Sequence, residues 1–190
     1  MSPTTLTPTL ASTRLILRSV ALDDAPAMQQ HFANWEIIKD IGGIPWPYPK
    51  NGSLDYIERR LKDSTQQELY FWGIFWHQEP RALIGVIEYK FAKDDPENRG
   101  FWIAQDYWGQ GLMTEAVGVT QDYVFDVLQK PRLCVTTRST NLASKAVKDK
   151  TGAYKIGVNT GQYQDGEQPQ DIWEITPHSW AAAKSKLKQR

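Results

Sequence analysis

The sequence predicts an α+β (mixed αβ) domain, a sheet carrying helices on its faces, and three observations carry that prediction. First, 190 residues with 41% hydrophobic and 23% charged side chains suit one soluble globular domain and exclude a collagen, a coiled-coil rod or a disordered chain. Second, apolar residues fall in short strand-like runs, and the longest, Leu69 to Trp76, is far too short to cross a bilayer. Third, the period changes from Leu112 to Leu128, where Ala116, Val119, Tyr123, Val124, Val127 and Leu128 recur with helical spacing.

Taken in order, residues 1–11 are rich in Ser, Thr and Pro, lack the basic start and apolar stretch of a signal peptide, and read as a loose tail. A cytoplasmic location is expected. Thr13 to Arg18 alternates as a strand, with Leu15 and Leu17 on one face. Asp23 and Asp24 start a helix that tolerates Pro26 in its first turn and runs to about Ala33. Ile41 to Gly52, with Gly-Gly and Ile-Pro-Trp-Pro-Tyr-Pro, is a loop, because its prolines donate no backbone hydrogen bonds. Ser53 reads as the N-cap of a helix through about Lys62, and Leu69–Trp76 with Ala82–Tyr89 forms an antiparallel hairpin. After a polar loop from Lys93 to Asn98 come a strand, Arg99–Ala104, the long helix, and a strand, Arg132–Arg138. Asn141–Lys150 is a short helix closed by Gly152 in left-handed conformation. Tyr154–Val158 is a strand, Asn159–Gln170 a polar loop, Ile172–Thr176 the last strand, and a short helix starts near Ser179. No repeat or linker divides residues 12–182, and Lys184, Lys186, Lys188 and Arg190 make residues 183–190 a basic tail.

Lys and Arg number 22 against 22 Asp and Glu, and the isoelectric point is near 6.8. This balance argues against a nucleic-acid binder, so any polyanion must be met locally. Cys134 is the only cysteine, which excludes an internal disulfide or a cysteine metal cluster and suits core packing. His31, His77 and His178 show no metal-ligand spacing, so no metal is expected. Tryptophan outnumbers phenylalanine, 8 to 6, which leaves rings to line a site as well as fill the core.

The most informative stretch joins the strand Phe101–Ala104 to the long helix through Gln105-Asp106-Tyr107-Trp108-Gly109-Gln110-Gly111. Two glycines let the backbone turn tightly, and the free N–H groups of the helix start offer a phosphate site that needs no lysine. It is neither a Walker loop nor a Rossmann fingerprint, since Gly-Lys-Ser/Thr and a third spaced glycine are both absent. Tyr-Trp-Gly-Gln-Gly-Leu-Met-Thr-Glu-Ala resembles the pyrophosphate loop of the GNAT acyl-CoA N-acyltransferases, especially the ribosomal-protein serine/alanine N-terminal acetyltransferase (RimJ/RimL-like) branch. The same branch is resembled, in order, by Thr13-Arg14-Leu15 through Arg18, by Gly85 within its strand, by Asn141-x-x-Ser144 with Lys150-x-Gly152, and by Asp171-Ile172-Trp173-Glu174-Ile175 with Trp180. Departures are Asp106 three residues before the first loop glycine, Met113 for a small residue, and Ala153 where an aromatic usually follows the glycine cap, with Tyr154 next. Asp106 is expected to face solvent, and packing at Tyr154 to be shifted by one residue.

The resemblance implies the GNAT fold, a mostly antiparallel sheet of about seven strands with helices on both faces, and acetyl-CoA-dependent transfer to a primary amine in a ternary complex. The acceptor would be a protein N-terminus or a small amine. Acetyl-CoA would be the cosubstrate, with no metal, nucleic acid or membrane involved, and a homodimer stays open. Trp102, Ile103 and Ala104 would pair with the pantetheine arm, and Trp108, Gly109, Gln110, Gly111, Leu112, Met113 and Thr114 would hold the pyrophosphate. Asn141 matches a pantetheine-contacting position and is equally an N-cap. Ser144 matches a hydrogen-bond donor at the leaving sulfur. For the base, Glu88 is a carboxylate on the face of Val86 and Ile84, where desolvation favours proton uptake, and Asp165 and Glu167 lie in the loop before the last strand. Glu115 falls in the first helical turn and stabilises the helix start. Lys145 and Lys148 read as a solvated helix face. Trp35, Trp46 and Tyr48 are candidate acceptor-side rings. A non-catalytic acyl-CoA-binding or scaffold domain is the alternative function.

Overall fold

The computed structural model describes residues 7–64, 68–91, 97–187 and 189. Residues 1–6, the 92–96 part of the polar loop, and Lys188 and Arg190 of the basic tail lie outside the described residues. The elements are β1 (Leu10–Ala11), β2 (Leu15–Ser19), α1 (Ala25–Phe32), α2 (Trp35–Ile38), α3 (Gly52–Ser64), β3 (Leu69–Trp76), β4 (Glu79–Lys90), β5 (Arg99–Ile103), α4 (Leu112–Asp122), β6 (Leu133–Arg138), α5 (Leu142–Lys150), β7 (Tyr154–Tyr163), β8 (Gly166–Ile175) and α6 (Pro177–Leu187). A π-helical turn, Tyr123–Val127, extends α4.

One sheet of about seven strands was expected; among the described residues the eight strands form two sheets. The first runs β1-β2-β3-β4-β5 and the second β6-β8-β7, with every ladder antiparallel. The sheets meet where β5 and β6 begin: Asn98 N donates to Cys134 O at 2.8 Å, and Cys134 N donates to Asn98 Oδ1 at 2.7 Å. Both strands run away from this junction in the same direction without pairing, so a wedge opens between them toward Ile103 and Arg138. Its walls are unpaired sheet edge, which a ligand can use.

Two apolar clusters hold the sheets. Leu15, Leu17, Trp72, Ile74, Ile87 and Tyr89 pack with Ala116, Val117 and Val124 of α4 and its extension, with Leu133, Val135, Trp173 and Ile175 of the second sheet, and with Trp180 of α6. On the opposite face Phe71, Phe75, Leu83, Val86 and Trp102 pack against Met28 and Phe32 of α1, Ile37 and Ile38 of α2, and Ile57 of α3. β3 is buried on both faces, which is why it reads as one continuous apolar run. At Ile84 the ladder to β3 skips a residue, Ile74 pairing with Gly85 and Phe75 with Leu83. This bulge sends Ile84 to the first cluster and Val86 to the second, so Glu88 shares a face with Val86 and not with Ile84.

The expected helices and hairpins form, with corrections. α3 begins at Gly52, leaving Ser53 inside its first turn, buried, with its N–H bonded to Gln29. Residues 7–11 of the expected loose tail lie on the sheet: Thr7 Oγ1 accepts from Phe71 N, Pro8 O from the Trp72 indole, and Leu10 pairs with Leu17. α6 extends through Lys184, which pairs with Asp122 at 2.6 Å, so the basic tail starts inside a helix. The largest correction is the polar loop Asn159–Gln170, which forms the arms of the hairpin β7–β8, leaving only Gln164–Asp165 as its turn. Tyr154 is 42% exposed while Ala153 packs on the core, so no shifted aromatic fills that position. Cys134 is half-buried at the sheet junction, where burial pushes its thiol up.

Candidate active site

The wedge between β5 and β6 carries the glycine loop at one end. Gly109 (φ 73°) and Gly111 (φ 75°) both take the left-handed conformation that a side chain disfavours, and a Cβ at Gly109 would meet nothing within 4 Å. The loop is therefore an open cradle. Gly111 is the N-cap of α4, so the next backbone N–H groups point outward without partners from the helix.

The loop is tied from below. Arg14 Nη1 donates to Gln110 O at 3.1 Å, and Glu115 accepts from Ser12 Oγ (2.7 Å), Arg14 N (2.8 Å) and Arg14 Nε (2.7 Å). Burial alone would raise the Glu115 carboxyl, but these bonds and the Arg14 charge hold it below its ordinary value. Glu115 thus anchors the first turn of α4, a role more specific than the expected helix-end effect.

From the loop a cavity of about 460 Å³ runs along β5 to α5, lined mainly by apolar side chains. Of the residues the resemblance assigns to the cofactor, Trp102, Ile103, Trp108, Gly109, Gly111, Leu112, Met113, Thr114, Asn141 and Ser144 all line it. Ala104 and Gln110 do not: Ala104 N is committed to Ile84 O at 2.8 Å, and the Gln110 side chain folds onto Asp106 O. Asp106 is exposed, as expected. Because Ala104 bonds toward β4, alternation turns the polar groups of Phe101 and Ile103 to the open edge. There the Trp108 indole donates to Ile103 O at 2.8 Å, which leaves Phe101 C=O and Ile103 N–H for a ligand.

A second, polar cavity of about 470 Å³ continues from the first; both are lined by Asp40, Ile41, Phe101, Asn141 and Ser144. Its walls include Arg60, Glu88, Arg99, Arg138, Lys148 and Tyr163. Asn141 caps α5, its Oδ1 accepting from Ser144 N at 2.9 Å, so the capping and cavity-lining roles coexist. Ser144 stands at the junction and accepts a hydrogen bond from Lys148 Nζ at 2.9 Å.

The sequence candidates for a base divide here. Glu88 lines the polar cavity, but in place of an isolated carboxylate on an apolar face it accepts from Tyr56 OH (2.7 Å) and Arg60 Nη2 (2.9 Å). Asp165 lines neither cavity; it is half exposed at the β7–β8 turn and pairs with Arg138. Asp40, which is not among the base candidates the sequence offers, is the carboxylate that lines both cavities among the described residues. Burial holds its carboxyl above the ordinary value, against the pull of Arg138 at 3.7 Å and of Lys39. It follows the short helix α2, which carries too few residues to show a period.

Trp35, Trp46 and Tyr48 line neither cavity. Trp35 and Trp46 pack on each other at 5.3 Å between ring centroids, half exposed, and Tyr48 packs edge-on against Phe32. Lys145 pairs with Asp171 at 2.7 Å and Lys148 is 2% exposed, so the expected solvated face of α5 is turned inward. Among the described residues no cluster of His, Cys, Asp or Glu could hold a metal, and no helix is long and apolar enough to cross a membrane.

Residues 14–154 match the model of the acetyltransferase (GNAT) domain. The chain is 31% identical over 106 residues to the probable N-acetyltransferase YjcK of Bacillus subtilis (strain 168), a match spanning 55% of this chain and 56% of that protein. To the uncharacterized N-acetyltransferase YoaA of the same organism it is 28% identical over 169 residues, 84% of this chain and 90% of that one. Its fold is that of RimL, a ribosomal L7/L12 alpha-N-protein acetyltransferase solved in complex with coenzyme A: TM-score 0.75, 17% identity, covering 89% of this chain and 98% of RimL. With the domain model spanning most of its length and the loop, wedge and α5 in place, the chain belongs to the GNAT acetyltransferase family.

Proposed function

We propose that this chain transfers the acetyl group of acetyl-CoA to a primary amine, a protein N-terminus or a small-molecule amine, by direct attack in a ternary complex. One observation carries the reading: an apolar cavity that starts at an open backbone-donor cradle meets a polar cavity at Ser144. The residues fit acetyl-CoA. Backbone donors from Gly109 to Thr114 suit a pyrophosphate, and the free polar groups of Phe101 and Ile103 suit the amide-bearing pantetheine arm. Bound there, acetyl-CoA supplies an activated thioester carbonyl. RimL, solved with coenzyme A, supports the cosubstrate and a protein N-terminus as one acceptor class.

The residues of the chain then divide the work. Asp40, raised by burial and common to both cavities, takes the proton that the acceptor amine must lose, directly or through water. Glu88 and Asp165, the sequence candidates, are engaged by Arg60 and Arg138 and serve to shape the acceptor side. Ser144 donates to the leaving sulfur, and Asn141 fixes the α5 turn that carries it. The test is thiol release with acetyl-CoA across a panel of Ser- and Ala-initiated peptides, amino acids, polyamines and aminoglycosides. Acceptor-dependent release supports the reading; acetyl-CoA binding by calorimetry with flat release across the panel would make the chain a binding domain.

A further inference from the structure

Among the described residues Lys148 is the only buried lysine, at 2% exposure, and no carboxylate pairs with it. Its Nζ has one hydrogen-bond partner, Ser144 Oγ at 2.9 Å, and lies 5.4 Å from the centre of the Phe101 ring. The charged groups that face it are Arg99 at the start of β5, Glu97 just before that strand, and Asp171 on β8. Asp171 is itself held by Lys145, Lys155 and Ser139. Arg99 Nη1 bonds the neutral Gln121, so two basic groups sit together in the interior. Burial and the Arg99 charge lower the Lys148 amine to about 7. An apolar side chain of similar length would fill the same space without a charge to desolvate. What the lysine adds is the bond to Ser144.

An ammonium group can only donate. Ser144 Oγ therefore accepts from Lys148, and its own proton is left to point elsewhere. With its N–H groups and the helix behind it, the open direction is the junction of the two cavities that Ser144 lines. A serine hydroxyl is also a poor acid unless the proton it gives is replaced at once. We propose that Lys148 is a positioning residue for acyl transfer, holding the Ser144 proton toward the cavity junction and replacing it when it passes to the leaving sulfur. As the C–N bond of the amide forms and the C–S bond of the thioester breaks, sulfur takes the Ser144 proton and Ser144 takes one from Lys148. The neutral lysine regains a proton from solvent through the polar cavity, balancing one of the protons the acceptor amine sheds. This inference rests on the reading of Ser144 as the donor at sulfur.

The direction of the Ser144–Lys148 bond is then sensitive to pH. Once Lys148 is neutral it can accept from Ser144, and the hydroxyl turns inward. Turnover should fall as pH rises through this range, on top of whatever the acceptor amine contributes.

Two readouts test the proposal on the full chain, with Ser144→Ala as reference and acetyl-CoA calorimetry confirming that each variant binds. The first needs no acceptor: ultraviolet titration of the thiol of bound CoA. Lys148 is neutral where that thiol titrates, so the wild type should leave the thiol near its free value. Lys148→Arg, which stays charged and keeps the Ser144 proton outward, should lower it by about one unit, and adding Ser144→Ala to Lys148→Arg should abolish that shift. The second is the pH profile of kcat with the panel amine that turns over fastest. Lys148→Met should lower kcat by about 30-fold with KM for acetyl-CoA within about threefold, and Lys148→Arg should move the alkaline limb upward. A wild-type thiol titration in Lys148→Arg together with wild-type kcat in Lys148→Met, with Ser144→Ala impaired, overturns the role of Lys148 alone. Wild-type behaviour in Ser144→Ala overturns the reading of Ser144 and this inference with it.

Discussion

Ser144 and Lys148 lie one helical turn apart on α5, and Asp40 faces the same cleft from the end of α2, so the proposed proton donor and acceptor come from different elements. Their environments push them toward neutral pH from opposite sides: burial raises the Asp40 carboxyl and lowers the Lys148 amine. Asp40→Asn should reduce kcat/KM by about 100-fold and remove the acid limb of the wild-type profile, because a base must be ionised and loses that form as pH falls through its raised value. An Asn variant with an unchanged acid limb would move the base to Glu88 or to water. Lys148 also has a thermodynamic signature. Its amine titrates near 7 folded and near about 10.4 unfolded, so the unfolded chain binds more protons between those values and stability rises with pH across that window. Lys148→Met should flatten that slope and stabilise the chain by roughly 2 kcal/mol at neutral pH, read by urea unfolding.

At the scale of elements, the glycine loop holds its shape because β1–β2 and α4 are stitched to it through Arg14 and Glu115. Gly109→Ala should cost about 1 kcal/mol of stability, from the left-handed backbone alone, while weakening CoA binding by more than about tenfold, since the new methyl group stands in the cradle. Glu115→Gln, read by calorimetry and urea unfolding, should cost about 2 kcal/mol, with CoA affinity reduced less than in Gly109→Ala. These elements were legible: the loop glycines, the periodic helix after them and the Asn141 cap all show in the residue pattern. The β7–β8 arms were not, because β7 is an edge strand with Ile156 and Val158 exposed, and residues 159–170 extend past the core with no apolar alternation to mark them. Lys148 read as solvated because spacing alone places it on a helix face without telling which neighbour covers that face. Asp40 and the partners of Glu88 depend on contacts from distant segments, Arg138 and Arg60, which no local pattern joins.

Across the described residues, two antiparallel sheets bonded to each other near Asn98 and Cys134 create the wedge, and the helices close it at the α4 and α5 ends. The tryptophans follow that division: Trp72, Trp173 and Trp180 are buried in the core that spans both sheets, Trp102 and Trp108 line the cleft, and Trp35 and Trp46 pair outside it. Charge is also local. Burial would raise Asp171, yet Lys145, Lys155 and Ser139 hold it well below the usual carboxylate range, and they brace β8 against α5 and β7. A depressed carboxyl contributes stability above its unfolded value, about 3.9, and loses it as pH falls through the folded value. Acid unfolding should therefore set in below that value, and Asp171→Asn should cost about 3 kcal/mol at neutral pH while flattening the acid limb of the stability curve. Most direct for the central claim is mass spectrometry of the amine panel after incubation with isotope-labelled acetyl-CoA. The cleft predicts label on the nitrogen of at least one acceptor class, lost in Gly109→Val and reduced in Ser144→Ala; bound acetyl-CoA with no labelled amine anywhere in the panel would contradict it.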